Sequence, residues 1–421
     1  MRDGPVLFAG IPAHGHMIPA LALAESLVAR GLPVEFPASE EFADAVRASG
    51  ARPLAYPTTW PVPAALPAPR TAADALELRA MLAGEAVAQV RAVLARPGRR
   101  PPRAVVYDTA VGPAARVLTA LWGVPGVQVF TGVATSPGFS LAPLLAERYP
   151  DLAGLPPAGP DPALVRLAAD HGLARDRVGA LLAPRERLSL VLQPRAFHQA
   201  AQTFSPDAFA FVGPCLSRGR ARTPWRPPPD AGPVLLVALG TLYNRRPAFY
   251  RSCVEAVRGT GWHAVLAVGE RVSPGELGRG APNVEVHARV PQPSVLAHAR
   301  VMVCHAGMGS TMEALAAGVP LVAVPQTPEQ DAVARRVQEL GLGVRLPPGG
   351  VTPDRLRAAV DLLATDQGTR ERVARMRSLI RSAGGADRGA FLIDAHLHRT
   401  AAARPSAGPR GRHRSSPGRK A

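Results

Sequence analysis

Histidines supply the first candidate chemistry. His14 and His16 stand in "PAHGHMIPA", between an apolar strand pattern, "PVLFAG", and a helix pattern running from Pro19 to Gly31. An imidazole at such a junction titrates near neutral pH and can act as a general base. Asp108 closes a second apolar run, "AVVYD". An aspartate there can bond one imidazole nitrogen, fix its tautomer and stabilise the imidazolium. A third histidine, His305, ends "VMVCH" and is followed by Gly307, Gly309, Ser310, Thr311 and Glu313, where a helix begins near Ser310. The first N–H groups of a helix lack intrahelical partners and carry partial positive charge, so a phosphate fits there. His305 can donate another hydrogen bond, Ser310 and Thr311 can add hydroxyls, and Glu313 is suited to ribose hydroxyls.

Each feature also has a structural reading. Ser310-x-x-Glu313 matches a capping box, which needs no ligand. Gly307 and Gly309 could merely serve a tight turn. His14 and His16 could be structural histidines near a helix start, or half of a metal site, although no further ligands are spaced to complete one. The His305 stretch lacks G-x-G-x-x-G and GK[ST], which weakens dinucleotide and P-loop readings. No Asp-x-Asp occurs in the chain, so a carboxylate-held divalent ion on a diphosphate is not indicated, and no metal or cofactor is expected.

Short apolar runs alternating with helical patterns must position these residues. "PVLFAG", "PVEFPA", "AVVYD" and "GVQVF" read as strands, and the text between them as helices. The pattern predicts α/β architecture with parallel sheets covered on both faces. It breaks at "LSRGRARTPWRPPPD" and restarts at "VLLVALG". The expected organisation is therefore an N-terminal Rossmann-like domain over 1–215, a linker over 216–232 and a second Rossmann-like domain over 233–385. A last helix over 386–399 is expected to pack back on the first domain, followed by a disordered basic tail, 400–421.

Composition narrows the function classes. Of 421 residues, 47% are hydrophobic, enough for a large core. The net charge of +17 invites a nucleic-acid reading, but six of the cations (Arg404, Arg410, Arg412, Arg414, Arg419 and Lys420) crowd the last stretch and the rest are dispersed. No nucleic-acid partner is expected. Three cysteines, Cys215, Cys253 and Cys304, form no CxxC and suggest no disulfide framework. No apolar run is long enough to span a membrane, and the N-terminus is not a signal peptide, so a cytoplasmic protein is expected, monomer or homodimer.

Taken in order, "AHGH..P", "VALGT", "PAFYR", "NVEVHARVPQ" and "HAGMGSTMEALAAGVPLVAVPQ" resemble the family-1 glycosyltransferases of GT-B fold, of the actinobacterial macrolide-glycosyltransferase type, over about residues 5–397. The resemblance implies two doubly wound parallel-sheet domains facing across a cleft. It makes His16 the catalytic base and Asp108 its partner. His305, Gly309, Ser310 and Thr311 match the diphosphate site, Thr241 a second phosphate contact, Glu313 the ribose ligand and Gln292 a nucleotide contact. Glu329 and Gln330 match the pair that contacts sugar hydroxyls. Three positions depart from the pattern. Arg289 replaces the aromatic residue that stacks on the base, Glu329 replaces an aspartate, and Val333 replaces a frequent asparagine.

The function so implied is inverting, metal-independent transfer of a hexose from a nucleotide diphosphate sugar to a lipophilic natural-product acceptor. Such an enzyme serves antibiotic or secondary-metabolite biosynthesis or inactivation. Apolar stretches Pro57–Arg70, Phe130–Phe139 and Leu141–Leu182 are the expected acceptor walls. A carboxylate at 329 favours a hydroxylated sugar, hence UDP-glucose; the alternative is a TDP-deoxysugar, for O- or N-transfer. A different class of alternative is a catalytically silent relative that binds a nucleotide or a partner; the presence of both His16 and Asp108 argues against it.

Overall fold

Valine-, leucine- and alanine-rich runs form two parallel sheets, as β-branched and aliphatic residues covered on both faces should. The computed structural model describes residues 4–402 except 61–68, 99, 153–154, 156–158, 184–185 and 218–223. In the first sheet, β1 (Val6–Ala9), β2 (Val34–Ala38), β3 (Arg52–Ala55), β4 (Ala104–Asp108), β5 (Gly126–Phe130), β6 (Ser189–Val191) and β7 (Phe209–Phe211) lie in the order β3-β2-β1-β4-β5-β6-β7. In the second, β8 (Val234–Ala238), β9 (His263–Ala267), β10 (Val284–His287), β11 (Ala299–Cys304), β12 (Leu321–Ala323) and β13 (Gly343–Arg345) lie in the order β10-β9-β8-β11-β12-β13. Alternation along each strand divides the core between the two faces. Val6 and Phe8 pack in one apolar cluster and Leu7 and Ala9 in another; Leu236 and Ala238 pack opposite Leu235 and Val237.

Strand order reverses between β1 and β4 in the first sheet and between β8 and β11 in the second. Ligands of open α/β sheets bind at such switch points, outside the carboxyl ends of the strands. His16 and Asp108 follow the strands at the first point; Thr241 and His305 follow those at the second.

Several boundaries differ from the sequence expectation. Helix α1 spans His14–Ala29 and begins five residues before Pro19, with the His16 and Met17 N–H groups bonded to the Ala13 carbonyl at 2.9 and 2.8 Å. His14 and His16 therefore lie in the first helical turn, not in a preceding loop. Proline marks a helix start only when it stands in the first turn, and here Pro19 is interior. The helix after β11, α10, spans Met308–Ala317 with Gly307 as N-cap. Ser310 is thus its third residue and not its cap, so the capping-box reading does not hold.

At the chain's end, α13 (Gln367–Ala383) stops at Gly384, whose φ of +89° suits a residue without a side chain. Helix α14 (Gly385–Ala402) then packs on α1. Its Ala390, Ile393 and Leu397 enter the first domain's core, and Arg30 holds Asp394 at 3.0 Å. It runs past the expected end at 399; Thr400 bonds the His396 and Leu397 carbonyls at 2.9 and 3.0 Å. Residues 403–421, part of the 216–232 linker and parts of the Pro57–Arg70 and Leu141–Leu182 walls lie outside the described residues. Among the described residues no helix is long and apolar enough to cross a membrane.

Candidate active site

Asp108 ends β4 beneath the first turn of α1. It is only 6% exposed, and its Oδ2 lies 2.8 Å from His16 Nδ1. Its other oxygen accepts the Ala110 N–H at 2.8 Å. A carboxylate on Nδ1 directs the proton to that nitrogen and leaves Nε2 free to take one. Burial alone lowers the His16 pKa, but the adjacent Asp108 carboxylate and, more weakly, Glu329 raise it, and the net direction is upward. For Asp108 burial acts upward, and the His16 contacts and hydrogen bonds overcome it to hold the carboxyl below its usual value.

A third member was not legible as such in the sequence. Thr131, one residue beyond β5, donates its hydroxyl to Asp108 Oδ2 at 2.9 Å and lies 3.1 Å from His16 Nδ1. Asp108 and Val129 are register partners on neighbouring strands, which puts the residue after β5 beside the dyad. The available signal was the position just past a parallel strand's end; a lone threonine there carries no motif.

His14 turns elsewhere. Its Nε2 lies 3.0 Å from Arg289 Nη1 of the second domain, its Nδ1 3.9 Å from Glu41, and its ring meets Phe42 edge-on. The two histidines therefore diverge and do not form a His-x-His ligand pair. Arg289 is also bonded to Glu270 at 3.1 Å, so the guanidinium offered for base stacking is engaged between the domains.

Across the cleft, His305 ends β11 between two glycines. A Cβ at Gly240 would lie 2.7 Å from its Nε2, and one at Gly307 2.3 Å, so only glycine leaves room for the ring at these points. Burial pushes the His305 pKa down to about 4, against an opposing pull from the Ala238 carbonyl, so the ring is neutral near neutral pH and has a single N–H to donate. With Gly307 as N-cap, the open first-turn N–H groups of α10 are those of Met308, Gly309 and Ser310. A Cβ at Gly309 would meet nothing within 4 Å, leaving space in front of them.

Thr311 lies on the inner side of α10. It is fully buried, its hydroxyl has no hydrogen-bond partner among the described residues, and its N–H is spent on the Gly307 carbonyl at 2.9 Å. Its hydroxyl is an unspent donor and acceptor, whereas its N–H is taken.

The remaining donor-side residues cluster. Gln292 donates to Glu313 at 2.6 Å and reaches Ser310 Oγ at 3.5 Å. Thr241 is exposed in the turn after β8. Helix α11 (Pro328–Glu339) starts beyond β12, capped by the Thr327 hydroxyl on the Gln330 N–H. Gln330 Oε1 accepts the Gln326 N–H at 2.8 Å. Glu329 crosses to the first domain, where it accepts the Val133 N–H. Solvent still reaches it along the cleft, but protein on both sides desolvates the carboxyl and pushes its pKa up, with Asp108 adding to this and His16 opposing it. Tyr243, unremarked in the sequence, is close enough for burial and the Glu329 charge to raise its phenol.

The arrangement joins a carboxylate-bound histidine on one domain to a helix start with open N–H groups on the other. Comparisons with known proteins identify the family. The family model for the C-terminal domain of erythromycin biosynthesis protein CIII-like proteins matches residues 263–383. An NDP-glycosyltransferase, YjiC, of Bacillus licheniformis is 36% identical, with 92% of this chain and 96% of the relative covered. The demethyllactenocin mycarosyltransferase of Streptomyces fradiae is 34% identical, covering 94% and 87%. The crystal structure of CalG4, the calicheamicin glycosyltransferase, superposes with a TM-score of 0.80 at 38% identity over 95% of this chain and all of that one. With these identities spanning nearly its whole length, the chain belongs to the family-1 glycosyltransferases of GT-B fold, of the actinobacterial macrolide-glycosyltransferase type.

Proposed function

We propose that the protein transfers a hexose, with inversion and without a metal, from a nucleotide diphosphate sugar to a lipophilic natural-product acceptor. The observation that carries this reading is the His16–Asp108–Thr131 constellation facing an α10 start whose first N–H groups are open. His16 Nε2 takes the proton of an acceptor hydroxyl as that oxygen attacks the anomeric carbon. Asp108 stabilises the imidazolium that forms. Charge grows on the departing diphosphate; the α10 dipole and its open N–H groups stabilise it without reorganising, and His305 adds its one N–H by turning it from the Ala238 carbonyl to the phosphate. A base on one domain and a leaving-group site on the other suit a single in-line displacement, which inverts the anomeric centre.

Glu329 and Gln330 supply the reading of the sugar. A carboxylate facing the donor is satisfied best by hydroxyls, so a hydroxylated hexose such as glucose on UDP is the favoured donor. The similarity to a mycarosyltransferase supports a second reading, transfer of a TDP-linked deoxysugar. The described residues of Phe130–Phe139 and Leu141–Leu182 are our candidates for the acceptor's apolar walls, and the natural products in the relatives' names support that reading.

The test is a transfer assay over a panel of UDP- and TDP-linked sugars with a phenolic and a macrolide acceptor, with and without EDTA, reading the anomeric configuration of the product by NMR. A β-glucoside from α-linked UDP-glucose, formed equally well in EDTA, supports the proposal. A retained configuration, or activity abolished by EDTA and rescued by one metal, contradicts it.

A further inference from the structure

Glu329 occupies the space that a side chain at position 132 would fill. A Cβ built on Gly132 would lie 2.6 Å from Glu329 Oε1 and 3.8 Å from its carboxyl carbon, with no other atom of the described residues beyond its chain neighbours within 4 Å. The backbone there is held from several directions. Buried Gln193 donates to the Gly132 carbonyl at 3.4 Å, the next N–H, of Val133, donates to Glu329, and Thr131 just before is tied to Asp108 and His16. The Val133 side chain packs against the second domain's core. Three consecutive residues thus touch the base, the first domain's interior and the donor-side acid. A glutamate carries its carboxylate one methylene farther than an aspartate, and the absent side chain at 132 accommodates that extra reach.

We propose that Gly132 is a specificity-determining residue of the donor site, setting how far the Glu329 carboxylate reaches into the cleft and hence which sugar hydroxyl it contacts. This rests on Glu329 being the sugar-contacting acid. Gly132 does not sit in the left-handed region, and the atom that an added Cβ meets is the free end of a flexible side chain. Gly132→Ala should therefore displace Glu329 and leave the fold in place.

The readout is the ratio of kcat/KM for the preferred sugar nucleotide to that for its deoxy analogues, in the full-length enzyme. Gly132→Ala should reduce this discrimination by about 10- to 100-fold, the loss of a hydrogen bond to a charged group. The loss should appear mainly in donor KM, and the pH profile set by His16 should keep its shape. Glu329→Ala should do the same, and Gly132→Ala added to Glu329→Ala should change discrimination no further. Glu329→Asp should rescue Gly132→Ala, because the shorter acid leaves room for the new methyl group; this pair decides the matter even if the single alanine variant folds poorly. Wild-type discrimination in Gly132→Ala, equal effects of that substitution with and without Glu329, or no rescue by aspartate would overturn the proposal. Wild-type discrimination in Glu329→Ala would instead show that Glu329 does not read the sugar, and would remove the basis of the proposal with it.

Discussion

On the proposed mechanism the protonation state of His16 governs the chemistry, and its surroundings determine the pH at which it works as a base. Asp108 and Glu329 together outweigh burial and raise its pKa from 6.5. A base must be neutral, so the acid limb of the kcat/KM profile should lie above pH 6.5. Asp108→Asn should move this limb to lower pH while lowering the plateau; a limb that stays in place would mean that another group titrates. The linkage to stability runs the same way. Because folding raises the His16 pKa, its contribution is complete below the unfolded value and fades as pH rises through the folded one. Asp108, held low, contributes above its unfolded value and loses that contribution as pH falls through the folded one. His305 behaves differently, since at about 4 its pKa leaves it uncharged through the neutral range. His305→Ala should weaken nucleoside diphosphate binding by about 1.5–3 kcal/mol and leave the free nucleoside little affected, as isothermal titration would show. Equal losses for both ligands would indicate a folding defect. Asp108 and His305 were legible because each closes an apolar run, and His16 because it stands between a strand pattern and a helix pattern. Thr131, Gly132 and Tyr243 were not, since their significance comes from strands and domains that are distant in sequence. The burial of Thr311 was equally hidden, because a threonine in a polar-looking turn gives no sign of which way it points.

At the scale of elements, helix starts carry the function and were the least legible feature. Pro19 and the Ser310-x-x-Glu313 pattern both pointed to starts several residues too late; in the structure Ala13 and Gly307 precede the helices, neither using a side-chain cap. The long buried strands could be read from composition alone. The three-residue strands β6 and β7, the proline-containing β3 and the half-exposed β10, with Glu285 and His287, could not, since neither length nor alternation sets them apart. Helix α14 shows how packing settles what a pattern leaves open. Ile393 is fully buried among first-domain residues, so Ile393→Ala should cost about 2–5 kcal/mol in urea unfolding. A change under 0.5 kcal/mol, roughly the surface-substitution range, would mean that the helix does not dock in solution.

For the whole molecule, α11 is the element that brings the two domains into a working relation. Glu329 near its start meets the Val133 N–H, Asp331 bonds Tyr149 beside α5 (Ala142–Arg148), and Arg336 donates to the carbonyls of Phe197 at 2.7 Å and Ala196 at 3.3 Å. The same helix carries Gln330, so on the proposed function it would tie sugar binding to the placement of the base. Arg336→Ala should leave nucleotide affinity within about twofold while transfer falls by about tenfold or more, because displaced reacting groups lose rate far more readily than affinity. Parallel losses in both would contradict that view of α11. The two-domain α/β plan was legible from alternating elements and one Pro/Arg-rich break, but the bridging contacts were not, since each joins residues more than a hundred positions apart. The central claim, that His16 is the general base of a glycosyl transfer, is tested most directly by single-turnover transfer with His16→Ala alongside equilibrium binding of the nucleoside diphosphate. The account predicts a rate lower by about 10²–10⁴-fold with binding essentially unchanged; near wild-type transfer to a hydroxyl acceptor at neutral pH would contradict it.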